Sequence, residues 1–301
     1  MQFEEILDEY FKVSNLSSAS KVTYSDVLRT FINDMKIHSL NEVTITHVYH
    51  WKEKLLERAA PATWNNYRRH MRAIINYAKK RGYTDDNPFV DVKPATETFS
   101  NPKHCRTEDI LKVLRALDYD IYPNGWFWQV VIRTFYYTGM RRRQLCGLVW
   151  SDLDYPHKQI LLRAENSKTN RQWYVPMDDR LAPHLIDLYK RTRTLKQYLP
   201  LTDQVFNFPL FSPACKLTRL EGDYVTKVFQ RIGYRLKMKF SPHMIRHNFG
   251  TQTGKNISNP GSMDLVTLKN QLGHTNLSTT TQYIFPSIDP QRQIVKNLED
   301  V

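Results

Sequence analysis

The sequence predicts a mainly α-helical protein with a small β-sheet, an α+β fold divided into two domains. Three observations support this prediction. Apolar residues recur at helical spacing in residues 1–95. A polar, proline-containing segment at residues 96–106 then predicts a linker. In the remaining residues 107–301, two short strand-like segments flank a polar turn, and helical patterns surround them.

Three amphipathic helices are predicted in the N-terminal domain. The first covers Val22–Met35, the second lies around residues 43–56, and the third covers residues 62–80. Pro61 before the third helix and Gly82 after it are start and stop signals. The apolar face of the first helix consists of Val22, Val27, Leu28, Phe31, Ile32 and Met35. The apolar face of the third consists of Trp64, Tyr67, Met71, Ile74, Ile75 and Ala78.

The third predicted helix also carries a group of basic residues. Arg68, Arg69 and Arg72 are predicted to lie off its apolar face, and Lys79 and Lys80 lie at its end. The whole chain has a formal net charge of +13 and a pI near 9.5, which is typical of proteins that meet a polyanion. These five residues are therefore candidate nucleic-acid contacts. The alternative is a basic face that only meets solvent.

The C-terminal domain is predicted to begin with a helix from Thr107 to Leu117 and a long apolar segment at residues 127–137. Two strands follow, Gln159–Arg163 and Gln172–Val175, on either side of the polar turn Asn166–Asn170. The chain then returns mainly to helix. This domain holds most of the charge, because residues 100–301 contain 29 basic and 17 acidic residues, against 14 and 13 in residues 1–99.

Several classes of protein are disfavoured by the sequence. Three widely spaced cysteines form neither a disulfide framework nor a metal cluster. The acidic amphipathic N-terminus is not a secretory signal, and no apolar run is long enough to span a membrane. His243 and His247 have the spacing of a metal pair on a helix, but no Glu lies between them and no third ligand is evident. We therefore expect an intracellular protein with no metal and no cofactor.

Four separated motifs carry residues suited to chemistry. Each is weak when it is taken alone, since a single turn arginine, hairpin lysine or tyrosine is usually structural. The motifs are Thr138-Gly139-Met140-Arg141, the hairpin Lys168, Ser241-Pro242-His243-Met244-Ile245-Arg246, and Leu272-Gly273-His274 with Tyr283 nine residues after the histidine. The order and spacing of the four motifs are more specific evidence of a function than any one motif.

Together these motifs resemble the tyrosine recombinase (phage integrase) family. The resemblance covers residues 100–301 well and implies a catalytic domain at 107–301. The N-terminal helices are similar to the family's core-binding domain, which implies that residues 1–95 bind DNA. By the resemblance, the catalytic residues are Arg141, Lys168, His243, Arg246, His274 and Tyr283.

The residue types suit attack on a DNA phosphodiester. Arg141 and Arg246 would hold the two non-bridging oxygens and stabilise their developing charge without Mg²⁺. The Tyr283 phenol, with an ordinary pKa near 10, would need His243 as proton acceptor. His274 would donate to a phosphate oxygen, and Lys168 would protonate the departing 5′ oxygen. The product would be a 3′-phosphotyrosine, from which a 5′ hydroxyl can reseal the strand without ATP.

Two features depart from the family pattern. Gln144 occupies the position, three residues after Arg141, where the family usually has an acid. A Gln can accept a hydrogen bond there but brings no charge, so the Arg141 pocket is expected to be more positive. The stretch from Arg246 to His274 is also longer than expected, and a loop at Asn256–Ser262 is predicted to hold the extra residues.

The resemblance implies a site-specific recombinase or integrase of a mobile genetic element in a prokaryotic or phage-infected cell. Paired protomers would bind double-stranded DNA with inverted half-sites, and a homo-tetramer would form at synapsis and resolve a Holliday junction. Accessory DNA-bending or directionality proteins could take part, and a short helix at Asp289–Val301 could dock on a neighbouring protomer or fold back on its own. Two alternatives stay open: a type IB topoisomerase, and a non-catalytic DNA-binding protein on the same fold.

Overall fold

The computed structural model describes residues 1–97, 105–118, 124–167, 170–255 and 264–281. The chain divides into two compact units, Met1–Ser100 and Asn101–Val301. Each unit has its own hydrophobic core. Among the described residues, none of the helices has the length and apolar character needed to cross a bilayer.

The N-terminal unit consists of helices packed on an aromatic core. Trp51 lies at its centre and meets the rings of Phe31, Trp64 and Phe89 edge-on at centroid distances of 5.0–6.0 Å. Such edge-to-face contacts add to the stabilisation that burial of the rings already gives. The helices are α1 (Phe3–Val13), α2 (Ser18–Met35), α3 (Ile45–Leu56) and α4 (Pro61–Lys80). The three helices expected from the sequence are thus present, with α1 in addition.

The pattern of buried residues corrects two details of the sequence analysis. Val22 was assigned to the apolar face of its helix, but its side chain is 59% exposed. Arg68 was assigned to the outer, basic face of α4, and this is wrong: it is only 9% exposed, and Nη2 donates to the carbonyl of Val90 at 3.2 Å. Its long aliphatic stem can pack among apolar groups while the guanidinium reaches a carbonyl. Arg69 and Arg72, in contrast, are exposed.

The C-terminal unit is built around α6, an apolar helix that packs against α5, α8 and α11. The apolar segment predicted at residues 127–137 forms most of α6, and Phe127, Val131, Ile132 and Phe135 are fully buried. The long helices are α5 (Thr107–Asp118), α6 (Gly125–Thr138), α8 (Ala182–Leu195), α10 (Gly222–Arg235), α11 (Pro242–Lys255) and α12 (Leu265–Leu272). The short ones are α7 (Arg142–Gly147), α9 (Phe208–Phe211) and α13 (Ser278–Thr281).

A three-stranded antiparallel sheet completes this unit, in the order β1-β2-β3. The strands are β1 (Leu153–Asp154), β2 (Gln159–Leu162) and β3 (Trp173–Pro176). Strands β2 and β3 pair with Ile160 opposite Val175. The two strands predicted from the sequence are β2 and β3, and β1 was not predicted. The fold class, mainly α with a small β-sheet, is confirmed.

Candidate active site

The end of α6 and the start of α7 form the first side of the candidate site. Thr138 closes α6, and Gly139 follows in the left-handed conformation with φ of +63°. A side chain at Gly139 would be strained by this φ and would also lie 2.5 Å from the Phe249 ring. The tight turn places Arg141 immediately before α7, at its N-cap position.

Arg246 of α11 lies in the middle of the site and is only 3% exposed. Its Nη1 donates to the carbonyl of Gly139, and its Nη2 donates to the carbonyl of Leu272, both at 2.6 Å. These carbonyls belong to the C-terminal ends of α6 and α12, where backbone oxygens lack intrahelical donors and carry partial negative charge. The guanidinium therefore joins two helix ends in a fixed geometry.

Arg141 also contacts the C-terminal end of α12. Its Nη2 donates to the carbonyl of Gly273, the left-handed residue that ends α12, at 3.1 Å. The two arginines predicted to clamp a phosphate are thus brought to neighbouring carbonyls at the end of α12. Because a guanidinium is planar and has five N–H donors, it can hold a carbonyl and a phosphate oxygen at the same time.

His274 is buried next to these arginines, directly after the turn that ends α12. Its Nε2 lies 3.1 Å from Nη2 of Arg246, and its Nδ1 lies 2.9 Å from Oγ1 of Thr280. Burial lowers the pKa of His274 to about 4, and the charges of Arg246 and Arg141 contribute. The imidazole is therefore neutral at pH 7.

His243 lies one turn before Arg246 on α11, and its Nε2 is 2.9 Å from Nε2 of His247. Although the side chain of His243 is exposed, neighbouring groups shield the ring partly from water. This shielding, together with the charges of Arg246 and Arg141, lowers its pKa below the ordinary histidine value. His243 was predicted as a proton acceptor, and the spacing of His243 and His247 was weighed as a metal pair; in the structure the two rings form a hydrogen-bonded pair beside the arginines.

Gln144, the residue in place of the family's usual acid, is 1% exposed. Its Oε1 accepts from the backbone N–H of Arg141 at 2.7 Å, while its Nε2 is buried with no hydrogen-bond partner among the described residues. The side chain therefore fixes the backbone that carries Arg141 rather than the guanidinium. A carboxylate would accept the same bond, so the substitution changes the charge and keeps this contact.

The hairpin that carries Lys168 is anchored close to this site. Lys168 itself lies outside the described residues, but the segment before it is held to α7, because Arg143 Nη2 donates to the carbonyl of Glu165 at 2.9 Å. On the far strand, Trp173 donates from Nε1 to the carbonyl of Gln271 at 3.3 Å. A side chain at Gly273 would lie 2.3 Å from the Trp173 ring, so the strand packs directly on the end of α12.

Three other predicted features lie outside the described residues. They are Tyr283, the loop Asn256–Ser262 and the C-terminal segment Asp289–Val301. The nearest described element to Tyr283 is α13, which ends at Thr281. Thr280 of this helix is fully buried against His274. The described residues thus bring together Arg141, His243, Arg246 and His274 from three separate motifs, and they do not include Lys168 or Tyr283.

Among the described residues, exposed basic side chains also cluster on α4 and on α10. In the N-terminal unit, α4 exposes Arg69, Arg72, Lys79 and Lys80. In the C-terminal unit, one face of α10 carries Lys227, Gln230, Arg231, Tyr234 and Arg235. The sequence analysis missed the surface of α10, which could have been found from the helical i, i+3, i+4 spacing of these residues. Within the described ranges, no three His, Cys, Asp or Glu side chains converge as metal ligands.

Comparison with known proteins assigns both parts of the chain. The model of the Phage integrase family matches residues 104–287, and the model of the Phage integrase SAM-like domain matches residues 2–95. A Pseudomonas syringae protein assigned as a XerC tyrosine recombinase is 28% identical over 98% of this chain, and the chain spans 64% of its length. The tyrosine recombinase XerC of Listeria monocytogenes (strain HCC23) is 26% identical, with 93% of this chain and 91% of that protein covered.

Solved structures share the fold. The Tn1549 transposon integrase in complex with transposon right end DNA matches with a TM-score of 0.75 at 17% identity, covering 99% of both chains. A lambda integrase dimer bound to a COC′ core site matches with a TM-score of 0.73 at 16% identity, covering 94% of this chain and 95% of that one. Since one family model matches more than half of the sequence, this chain belongs to the phage integrase family of tyrosine recombinases.

Proposed function

We propose that this chain is a site-specific DNA recombinase that cleaves and rejoins DNA through a 3′-phosphotyrosine. The convergence of Arg141, Arg246, His243 and His274 carries this proposal, because three motifs far apart in sequence supply one cationic pocket. In the sequence, Tyr283 follows His274 by nine residues and the end of α13 by two.

In the proposed reaction, Arg141 and Arg246 bind the non-bridging oxygens of the scissile phosphate. Backbone carbonyls already hold both guanidiniums, so little reorganisation is needed as charge develops. This preorganisation is the usual source of electrostatic stabilisation in an active site. It supports phosphoryl transfer in which arginines supply the positive charge.

Proton transfer is assigned to His243 and Lys168. A histidine with a lowered pKa is neutral at pH 7 and can accept the phenol proton of Tyr283 as the oxygen attacks phosphorus. The same positive surroundings favour the phenolate. Lys168 then gives a proton to the departing 5′ oxygen, and the anchoring of its hairpin to α7 and α12 supports this role.

We further propose that both units bind double-stranded DNA. Residues 1–95 would act as the core-binding domain, with α4 presenting Arg69, Arg72, Lys79 and Lys80 to phosphates, and α10 would add a second basic face. Proteins of the same fold were solved on DNA, including a lambda integrase tetramer bound to a Holliday junction. The lambda integrase dimer and tetramer support our proposal of paired protomers and a homo-tetramer at synapsis. Inverted half-sites and action on the DNA of a prokaryotic or phage-infected cell are part of the same proposal.

A nicked suicide substrate tests the chemistry. The nick lets the short fragment that carries the free 5′ hydroxyl diffuse away. Because this hydroxyl is needed for resealing, a recombinase is trapped as a covalent complex. Wild-type protein should form this complex, while Tyr283→Phe should bind the DNA and form none. A covalent complex of equal yield with Tyr283→Phe would reject the assignment of Tyr283, and its absence with wild type on cognate DNA would favour a non-catalytic DNA-binding protein.

A plasmid that lacks any cognate site separates the recombinase from a topoisomerase. A site-specific recombinase should leave such a supercoiled plasmid unrelaxed, because productive binding needs its half-sites. Efficient relaxation of this plasmid would favour the type IB topoisomerase alternative.

A further inference from the structure

Thr280 is a fully buried polar residue in a short, mostly exposed helix. Its side chain is 0% exposed, whereas Ser278, Thr279 and Thr281 around it are exposed. Oγ1 of Thr280 lies 2.9 Å from Nδ1 of His274, and the segment from His274 to Thr280 closes back on itself through this contact. A buried hydroxyl and a buried imidazole nitrogen each need a hydrogen-bond partner, and here they supply one another.

The direction of this hydrogen bond follows from the other side of the ring. The Arg246 guanidinium has only donors, so at 3.1 Å the Nε2 atom of His274 must accept from Nη2. A neutral imidazole with an accepting Nε2 carries its proton on Nδ1. The Arg246 donor therefore sets this tautomer, and the Nδ1–H group donates to Oγ1 of Thr280.

We propose that Thr280 is a positioning residue for the phosphate-binding pocket, because its hydroxyl accepts from Nδ1–H of His274 and so holds the ring with Nε2 facing Nη2 of Arg246. The chain of contacts runs from Thr280 through His274 to Arg246, whose other partners are the ends of α6 and α12. The catalytic consequence rests on the function proposed above, but the tautomer itself does not.

The opposite tautomer would break this chain. It would place an Nε2–H donor against an Nη2–H donor of Arg246, and the guanidinium would have to turn away from His274. It would also leave Nδ1 as an acceptor facing a hydroxyl, which is tolerable because a hydroxyl can donate as well as accept. Arg246 therefore selects the tautomer and Thr280 anchors the ring, so the fixed arrangement needs both contacts.

Thr280 also connects the pocket to the segment that carries Tyr283, three residues later in the sequence. Because α13 is held to the pocket through the Thr280 side chain, the same contact orients the His274 ring and holds the last described helix before Tyr283. Loss of the hydroxyl should therefore change the rate of the chemical step more than the affinity for DNA.

Nitrogen-15 chemical shifts of the imidazole in the DNA-free protein test the tautomer. In wild type, His274 should show a protonated Nδ1 and an unprotonated Nε2 at pH 7. Thr280→Ser should keep this pattern. Thr280→Val has nearly the same shape but leaves Nδ1–H without an acceptor, so the ring should turn away from Arg246 and His274 should show a mixture of tautomers. Thr281→Val, an exposed threonine on the same helix, serves as the matched control and should change nothing.

Single-turnover cleavage of the nicked substrate measures the consequence. We expect Thr280→Val to be about tenfold slower, as for loss of one hydrogen bond between neutral groups, with Thr280→Ser and Thr281→Val near the wild-type rate. An Nε2–H tautomer in wild type, or an unchanged tautomer and rate in Thr280→Val, would overturn the proposal. The wild-type spectrum tests the tautomer of His274 even if Thr280→Val does not fold. Absence of cleavage by the wild-type protein would count against the proposed function alone.

Discussion

Arg68 of the N-terminal unit and Arg246 of the C-terminal unit are both buried on helices and both donate to backbone carbonyls. Arg68 meets the single carbonyl of Val90 at the edge of an aromatic core, and burial lowers the pKa of its guanidinium. Arg246 joins two helix ends and a histidine, next to a second arginine. A buried arginine is therefore structural in one unit and part of a candidate site in the other, and its surroundings make the difference.

This contrast divides the roles of charge between the two units. In the N-terminal unit the residues available to DNA are the exposed ones, and the buried arginine stabilises the fold. In the C-terminal unit the buried charge itself is proposed to act on the phosphate. Substitutions in the two units should consequently affect different measurements.

The largest effect is expected for Arg246→Lys. A lysine keeps the charge but cannot join Gly139, Leu272 and His274 in one plane, so the phosphate loses a preorganised donor. We expect cleavage under single-turnover conditions to fall by about 10²–10³-fold, the usual result of removing such a donor. Arg68→Lys is the matched control and should cleave at the wild-type rate once DNA is saturating. Equal losses in the two variants would contradict the division of roles.

Acidification should destabilise the C-terminal unit through His274. The pKa of this residue is about 4 in the folded protein and near 6.5 when it is unfolded, so below pH ~6.5 the unfolded chain binds more protons. Stability should then fall as the pH drops from ~6.5 to ~4, by about 3 kcal/mol from this residue. Denaturant unfolding across this range measures the slope, and His274→Asn should flatten it. A slope that is unchanged in His274→Asn would show that His274 titrates normally.

Arg68→Met should destabilise the N-terminal unit by about 1–3 kcal/mol. The methionine keeps an apolar stem but leaves the carbonyl of Val90 without its donor. Thermal unfolding monitored by tryptophan fluorescence measures the change, with the exposed Arg69→Met as control. If Arg69→Met were the more destabilising of the two, the placement of Arg68 inside the unit would be wrong.

Gln144 tests how the turn before α7 positions Arg141. Gln144→Leu removes the acceptor for the Arg141 N–H, so we expect cleavage to fall about tenfold. Gln144→Glu keeps this acceptor and should retain more activity than Gln144→Leu. Single-turnover cleavage rates of the wild type, Gln144→Leu and Gln144→Glu measure the difference. A faster reaction with leucine than with glutamate would mean that Gln144 does not act through this contact.

The smallest effect on chemistry is expected for exposed residues of α4. The double variant Arg69→Gln and Arg72→Gln should weaken DNA binding and reduce the slope of log affinity against log salt by about 1.8, if each arginine contacts one phosphate. The rate at saturating DNA should not change. Arg29→Gln, an exposed arginine of α2, is the control. An unchanged salt slope in the double variant would remove α4 from the DNA interface.

The sequence predicted much of the fold, and four of its candidate site residues lie close together in the structure. Helical periodicity predicted α2, α3 and α4. The order of the motifs predicted that Arg141, His243, Arg246 and His274 belong to one site. Periodicity did not place Arg68, because a long side chain can turn back towards a carbonyl from the edge of an apolar face. The two-residue strand β1 has no pattern of its own, since its pairing with β2 defines it.

The contacts within the site were less accessible to sequence reasoning. The bond of Gln144 to the Arg141 backbone, the pairing of His243 with His247 and the burial of Thr280 all depend on where helices end relative to one another. His274 was expected to donate to a phosphate oxygen, whereas in the DNA-free protein its Nε2 accepts from Arg246. Phosphate binding would therefore have to change this contact if His274 is to donate from the same atom.

Peptide mapping of the covalent complex is the most direct test of the central claim. Wild-type protein trapped on a nicked cognate substrate would be digested with protease and nuclease, and the modified peptide sequenced by mass spectrometry. Our account predicts a nucleotide joined through its 3′ phosphate to the Tyr283 oxygen. A nucleotide on another residue, or one joined through a 5′ phosphate, would contradict the account.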